Sequence, residues 1–153
     1  MIKNKTISLI SHDRRKVDMV SWVKHNAELL IQNTLICTGT TGGLVEQTLN
    51  EWIKEYSKES VELDIVKMKS GPLGGDAQIA AMVVEGNIDL CVFLIDDLNA
   101  NPHEADIMML LRQCRIHNIP VACNRYSADL MITSDLWGSD YKPTEPTYCD
   151  FKR

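Results

Sequence analysis

No apolar run among the 153 residues is long enough to span a membrane. The opening MIKNKTISLIS is too short and too interrupted by polar residues to form a signal-peptide core, and reads as a first strand. Basic excess is also missing. Sixteen Lys and Arg stand against 21 Asp and Glu, for a net charge of −5 and a pI near 5.3. That balance excludes a general binder of nucleic acid or membrane surface, so an anionic ligand needs a local positive site rather than the field of the whole molecule. There is no CxxC spacing. The five cysteines (Cys37, Cys91, Cys114, Cys123, Cys149) are odd in number and four lie in apolar segments, which reads as buried thiols in a reducing cytoplasm. Neither GxxxxGK[ST] nor GxGxxG occurs, which removes the two commonest nucleotide-binding signatures. No repeat, low-complexity tract or linker divides the chain, so residues 1–153 read as a single domain, with the end, GSDYKPTEPTYCDFKR, laid over the body or against a partner subunit.

What is present is an alternation. TISLIS (6–11), TLICTG (34–39), VELDIVKM (61–68), IDLCVFLI (88–95) and IPVACN (119–124) are strand-like, several of them nearly continuous apolar runs of the kind buried on both faces. Helical stripes separate them: Val17 to Ile31, Leu44 to Tyr56, GDAQIAAMVVEGN (75–87), 104–117 and 127–136. Five β-then-α units in a row predict an α/β fold, a three-layer, doubly wound, mostly parallel five-stranded sheet.

In such a sheet, ligands sit beyond the carboxyl ends of the strands. The five strand ends carry SHDRRK, TGTTGG, SGPLGGD, DDLNANPHEAD and NRYSAD. Two loops rich in Gly, Ser and Thr beside two that carry His and Asp suit one shared cleft. TGTTGG offers the hydroxyls of Thr38, Thr40 and Thr41 with backbone N–H groups at a helix start, which suits a single phosphoryl group or, alternatively, a simple helix cap. Ser70 and Gly71 can complete that cradle and Lys16 can add a full positive charge.

Taken in order, SHDRRK, TGTTG, SGPLGGDAQI, EGNIDLCVF, NPHEAD and IPVACN resemble methylglyoxal synthases over residues 5 to 135. The resemblance implies a cytoplasmic lyase of a glycolytic bypass. It would turn dihydroxyacetone phosphate into methylglyoxal and inorganic phosphate with no metal or organic cofactor. It implies substrate- and phosphate-binding roles for His12, Lys16, Thr38, Gly39, Thr40, Thr41, Ser70 and Gly71, a catalytic base at Asp76, an active-site histidine at His103, and further acidic positions at Asp13, Asp96 and Asp106. It also implies a homohexamer with sites near subunit contacts and allosteric inhibition by phosphate. Three features depart from the family pattern. The segment 44–69 is longer, IDDL replaces WDPL, and PHEAD replaces PHDPD, while every catalytic group stays in register.

Asp76 poses a question of sign. A helix N-terminus lowers a carboxyl pKa, whereas burial and neighbouring carboxylates (Asp13, Asp106) raise it, so tertiary placement decides its basicity. Two competing readings share parts of this pattern. A regulatory domain like that of carbamoyl-phosphate synthetase would keep the phosphate cradle without needing Asp76, His103 and Asp106 together. A sugar-phosphate isomerase would share base and cradle but retain the phosphate.

Overall fold

The computed structural model describes residues 4–148, so Cys149 and the last residues of the tail lie outside it. Five strands form one sheet: β1 (Thr6–Ser11), β2 (Thr34–Thr38), β3 (Ile65–Met68), β4 (Leu90–Leu94) and β5 (Val121–Ala122). Their order is β3-β2-β1-β4-β5 and every pairing is parallel. The helices are α1 (Lys16–His25), α2 (Ala27–Leu30), α3 (Gly39–Tyr56), α4 (Gly75–Val84), α5 (Glu104–Ile116) and α6 (Arg125–Ile132). The expected doubly wound α/β architecture is present.

Two apolar layers clamp the sheet. On one face Met19, Trp22 and Val23 of α1, Val45 and Leu49 of α3 and Ile132 of α6 pack on Ile7, Leu9, Leu35 and Val92. On the other, Ile79 and Val83 of α4 and Ile107 and Leu110 of α5 pack on Ile10, Ile36, Cys91 and Phe93. All five residues of β4 are buried, because a central parallel strand has a helix layer on each side.

The boundaries differ from the sequence expectation in three informative places. The first helical stripe breaks at Asn26, whose backbone N–H and side-chain amide both donate to the Trp22 carbonyl, at 3.1 and 3.0 Å, and so close the last turn of α1. The strand expected over 61–68 pairs only from Ile65. Leu35 N donates to Asp64 O just before it, so residues 61–63 run past the start of β2 and have no ladder to join. TGTTGG is not a loop: α3 begins at Gly39, placing Thr40 and Thr41 in its first turn.

No helix among the described residues is long and apolar enough to cross a membrane. The tail lies against α5, with Asn118 Nδ2 donating to Thr144 O and Tyr148 Oη to Ile116 O. The long 44–69 segment becomes the rest of α3 and its exit to β3, and none of its residues lines the cleft described next.

Candidate active site

The order β3-β2-β1-β4-β5 reverses direction between β1 and β4, and the loops leaving those two strands part there. A cavity of about 590 Å³ opens at that point, lined by residues of SHDRRK, TGTT, SGP, Asp76, Asp96 and NANPH. Four of the five strand ends thus meet in one cleft, while NRYSAD, after β5, does not line it.

Asp76 reaches the cleft through its glycines. After Ser70 the chain makes one 3-10 turn (Gly71–Leu73), then passes Gly74 at φ 104°, a left-handed conformation that a side chain would strain. Gly75 follows with no room for a Cβ, which would lie 1.9 Å from the Lys69 carbonyl oxygen. This tight return sets Asp76 in the first turn of α4, fully buried. Its Oδ2 lies 3.0 Å from His103 Nδ1, at the residue that precedes α5. With Asp76 ionised the carboxylate only accepts, so His103 then donates from Nδ1. Asp76 Oδ1 is buried with no hydrogen-bond partner, at a site where such an atom costs about 1–3 kcal/mol. Burial pushes the Asp76 pKa above its ordinary value. The charge and hydrogen bond of His103 and the charge of His12 oppose that shift, and Asp106 adds to it. The question of sign is therefore answered in favour of burial, with Asp106 rather than Asp13 as the contributing carboxylate.

His12 stands at the end of β1, its N–H donating to Leu94 O as the last rung between β1 and β4. Its carbonyl is already taken by Arg15 N at 2.9 Å. The Asp96 amide, which would reach for that carbonyl if the parallel ladder continued, donates instead to His12 Nδ1 at 2.8 Å. His12 Nε2 is buried without a partner. The ring stands edge-on to both Phe93 and His103, at centroid distances of 5.3 and 5.5 Å.

The cleft also carries hydroxyls and a cation. Thr38, Thr40, Thr41, Ser70 and Lys16 line it. Thr38 precedes α3 without capping it, so the simple cap reading fails for this residue. Thr41 is committed elsewhere, its hydroxyl paired with that of Ser11 at 3.1 Å, which ties the end of β1 to α3. Lys16 Nζ donates to Ser11 O at 3.1 Å and to Asp13 Oδ1 at 2.9 Å. That hydrogen bond, with the charge of Lys16, holds the exposed Asp13 carboxyl below its ordinary pKa. Gly39 does not line the cleft. It lets two loops touch, because a Cβ there would lie 2.7 Å from Ser70 Cα.

The remaining acidic positions have different placements. Asp96 is nearly buried and anchors its own loop, its oxygens accepting from Leu98 N (3.1 Å) and Asn99 Nδ2 (2.9 Å), with Arg14 Nε 3.8 Å away. Asp106 lies in the first turn of α5 outside the cavity lining and acts on Asp76 through its charge. The cleft also contains Arg14, Asn99 and Asn101, which sequence reasoning passed over. Their signal was position within the flagged loops, and nothing in their residue types distinguished them from solvated polar residues. Among the described residues, no group of three or more His, Cys, Asp or Glu side chains is arranged to hold a metal ion.

Fold and cleft define the class: a doubly wound α/β protein with a cleft at its switch point, lined by a buried carboxylate–imidazole pair and by several hydroxyls and a lysine. Comparison with known proteins narrows this. Residues 18–123 match the family model of the MGS-like domain. The chain is 56% identical to a methylglyoxal synthase of Treponema socranskii, over 100% of this chain and 93% of the relative. It is 42% identical to a methylglyoxal synthase of Coxiella burnetii (strain Dugway 5J108-111), over 94% and 92% of the two chains. The crystal structure of a methylglyoxal synthase from Elizabethkingia anophelis NUHP1 superposes with a TM-score of 0.80 at 37% identity, covering 95% of this chain and 88% of that one. The chain belongs to the methylglyoxal synthase family, and is an enzyme of the lyase class.

Proposed function

We propose that the enzyme converts dihydroxyacetone phosphate into methylglyoxal and inorganic phosphate through an enediolate, with Asp76 as the base. The observation that carries this reading is the Asp76 carboxylate. It is fully buried, with one oxygen held by His103 and the other unpartnered, in a cleft whose hydroxyls and lysine suit a phosphate.

Asp76 Oδ1 takes a proton from the hydroxymethyl carbon, and the electron pair moves onto the carbonyl oxygen to give the enediolate. His103, held at Nδ1 by Asp76, directs Nε2 toward the substrate oxygens and polarises them. The C–O bond to phosphate then breaks, its electron pair leaves with phosphate, and the enol product gains a proton at the terminal carbon on becoming methylglyoxal. Thr38, Thr40, Ser70, the Gly71 backbone and Lys16 grip the phosphate and align that C–O bond with the π-system. Thr41 and Gly39 support this grip by joining neighbouring loops. Asp13 orients Lys16 and Asp96 shapes the loop that carries Asn99. Burial of Asp76 supplies the basicity that an ordinary aspartate lacks.

The same reading carries a cytoplasmic homohexamer, inhibited cooperatively by the phosphate it releases and working in a glycolytic bypass. Light scattering and phosphate titration of the rate test the first two.

The central test mixes purified protein with dihydroxyacetone phosphate and measures phosphate and dicarbonyl together. Equal amounts of the two are expected, with loss of both in Asp76→Asn. Glyceraldehyde 3-phosphate with no phosphate release would make the protein an isomerase. Phosphate binding without turnover would make it a regulatory module. Undiminished release by Asp76→Asn would remove Asp76 as the base.

A further inference from the structure

We infer that Arg14 is a further ligand of the substrate's phosphate group, a guanidinium fork drawn to the cleft by Asp96 and presenting its free N–H groups to the phosphate oxygens. A phosphate dianion enters a cleft whose lining is already acidic, with Asp13, Asp76 and Asp96 standing against Arg14 and Lys16. Hydroxyls and backbone N–H groups supply hydrogen bonds to such an anion but no net charge. The lining cations must supply the charge, and they are not equally free to do so.

SHDRRK provides three cations in a row, and the structure sends them three ways. Lys16 Nζ donates to Ser11 O and to Asp13 Oδ1, and its side chain is only 17% exposed, so two of its N–H donors and much of its charge are spent within the protein. Arg15 Nη2 pairs with Asp18 Oδ2 at 3.2 Å and lies outside the cavity lining. Arg14 lines the cavity with its side chain 63% exposed. Its one ion pair among the described residues places Nε 3.8 Å from Asp96 Oδ2, too far for a hydrogen bond. The full fork of Arg14 is therefore unspent.

Asp96 positions this fork without consuming it. The Asp96 oxygens already accept from Leu98 N and Asn99 Nδ2, so the carboxylate is satisfied before Arg14 approaches. Arg14 leaves β1 and Asp96 follows β4, so their ion pair spans the switch point at which the cleft opens. The backbone beneath Arg14 is set by a 3-10 turn, closed by Arg15 N on His12 O, while the exposed head can move. With Nε toward Asp96, the guanidinium keeps a second edge of parallel N–H donors, which matches two oxygens of one phosphate. Lys16 contributes a point charge to the same anion, whereas Arg14 adds direction as well as charge.

The molecule that bears the phosphate rests on the lyase reading, whereas the contact of Arg14 with a phosphate group does not, and inorganic phosphate alone tests it. Phenylglyoxal, which condenses with accessible guanidinium groups, is applied to the wild-type protein with and without saturating inorganic phosphate, and the modified peptides are mapped. Phosphate is expected to slow modification of Arg14 at least about 10-fold and to leave Arg125, outside the cleft, unchanged. An unprotected Arg14 would overturn the inference. Calorimetric titration with inorganic phosphate is expected to show binding weakened about 10- to 100-fold in Arg14→Gln and less in Arg14→Lys, which keeps the charge without the fork. Arg15→Gln makes the same change of net charge one residue away and is expected to bind as the wild type does. Equal losses in Arg14→Gln and Arg15→Gln would reduce the effect to a general field and overturn the contact, and wild-type affinity in Arg14→Lys would overturn the fork. With dihydroxyacetone phosphate, Arg14→Gln is expected to raise KM by a similar factor with a smaller change in kcat. A wild type whose Arg14 is protected by phosphate but which releases none from dihydroxyacetone phosphate would remove the lyase reading and leave the phosphate contact standing.

Discussion

Replacing Gly71 with Ala asks whether the Asp76–His103 pair is where the chemistry happens. A Cβ at Gly71 would sit 3.2 Å from Asp76 Oδ1, 3.3 Å from Asp76 Oδ2 and 3.2 Å from His103 Cε1. Favourable carbon contacts begin near ~3.5 Å, so the methyl group forces both members of the pair back by about 0.3 Å. Gly71 is not at a positive φ, so its backbone accepts alanine, and the change of stability should stay within about 1 kcal/mol. The catalytic effect should be larger. A misplacement of about 1 Å costs around 10²-fold, so about 0.3 Å applied to base and imidazole together should lower kcat roughly 4- to 20-fold. Gly75→Ala is the control in the same motif. Its Cβ would meet the Lys69 carbonyl at 1.9 Å, backbone that cannot yield, and should destabilise the fold by about 3 kcal/mol or more. Phosphate-release kinetics and thermal unfolding on the two variants read the two effects. Wild-type kcat in Gly71→Ala would refute the assignment of the buried pair as the reacting centre. A folded, stable Gly75→Ala would refute the close approach on which Asp76's placement depends.

Asp76→Asn should abolish turnover and yet stabilise the fold. Because burial raises the folded-state pKa of Asp76, the native chain holds an extra proton between the ordinary value of 3.8 and the raised one, and this group's stabilising contribution is lost as pH rises through that window. Removing the buried charge should add about 1–2 kcal/mol at neutral pH, a rise of a few degrees in Tm by calorimetry, and an unchanged or lower Tm would contradict the burial argument. The same shift governs activity in the opposite direction. The base must be ionised, so kcat/KM should fall on acidification through an apparent pKa above the ordinary aspartate range, and an acid limb at or below 3.8 would count against Asp76 as base. Among the four described cysteines only Cys123 is exposed, and burial pushes the Cys37 thiol up to about 12. Iodoacetamide followed by peptide mapping should therefore modify Cys123 before Cys37, Cys91 or Cys114, and rapid native-state labelling of Cys37 would show that the core opens.

Much of the fold is legible in the residues. Apolar runs such as IDLCVFLI admit burial on both faces, the stripes between them admit only one, and that alternation leads to a parallel sheet between two helix layers. Boundaries were less legible where competing partners decide them. Asn26 interrupts a continuous stripe by closing α1 on the Trp22 carbonyl with both its amides, and residues 61–63 look like a strand but lie beyond the start of β2. TGTTGG reads as a loop because of its glycines, yet its first turn is helical and Gly39 serves to touch Ser70.

The sequence by itself determined the parts of the site: three glycines in SGPLGGD that force a tight return, an aspartate at the following helix start, hydroxyls at another, and histidines after two strands. Only the tertiary structure decided their states. Asp76 meets a histidine 27 residues away, and burial reverses the pKa shift expected from its helix. His12 Nδ1 accepts from an amide 84 residues away, while the hydroxyl of Thr41 is spent on Ser11 rather than on a ligand. Residue type fixes which protons and lone pairs a side chain can offer. Which of them face the cleft, and how firmly each holds its proton, depends on desolvation and on neighbours supplied through space.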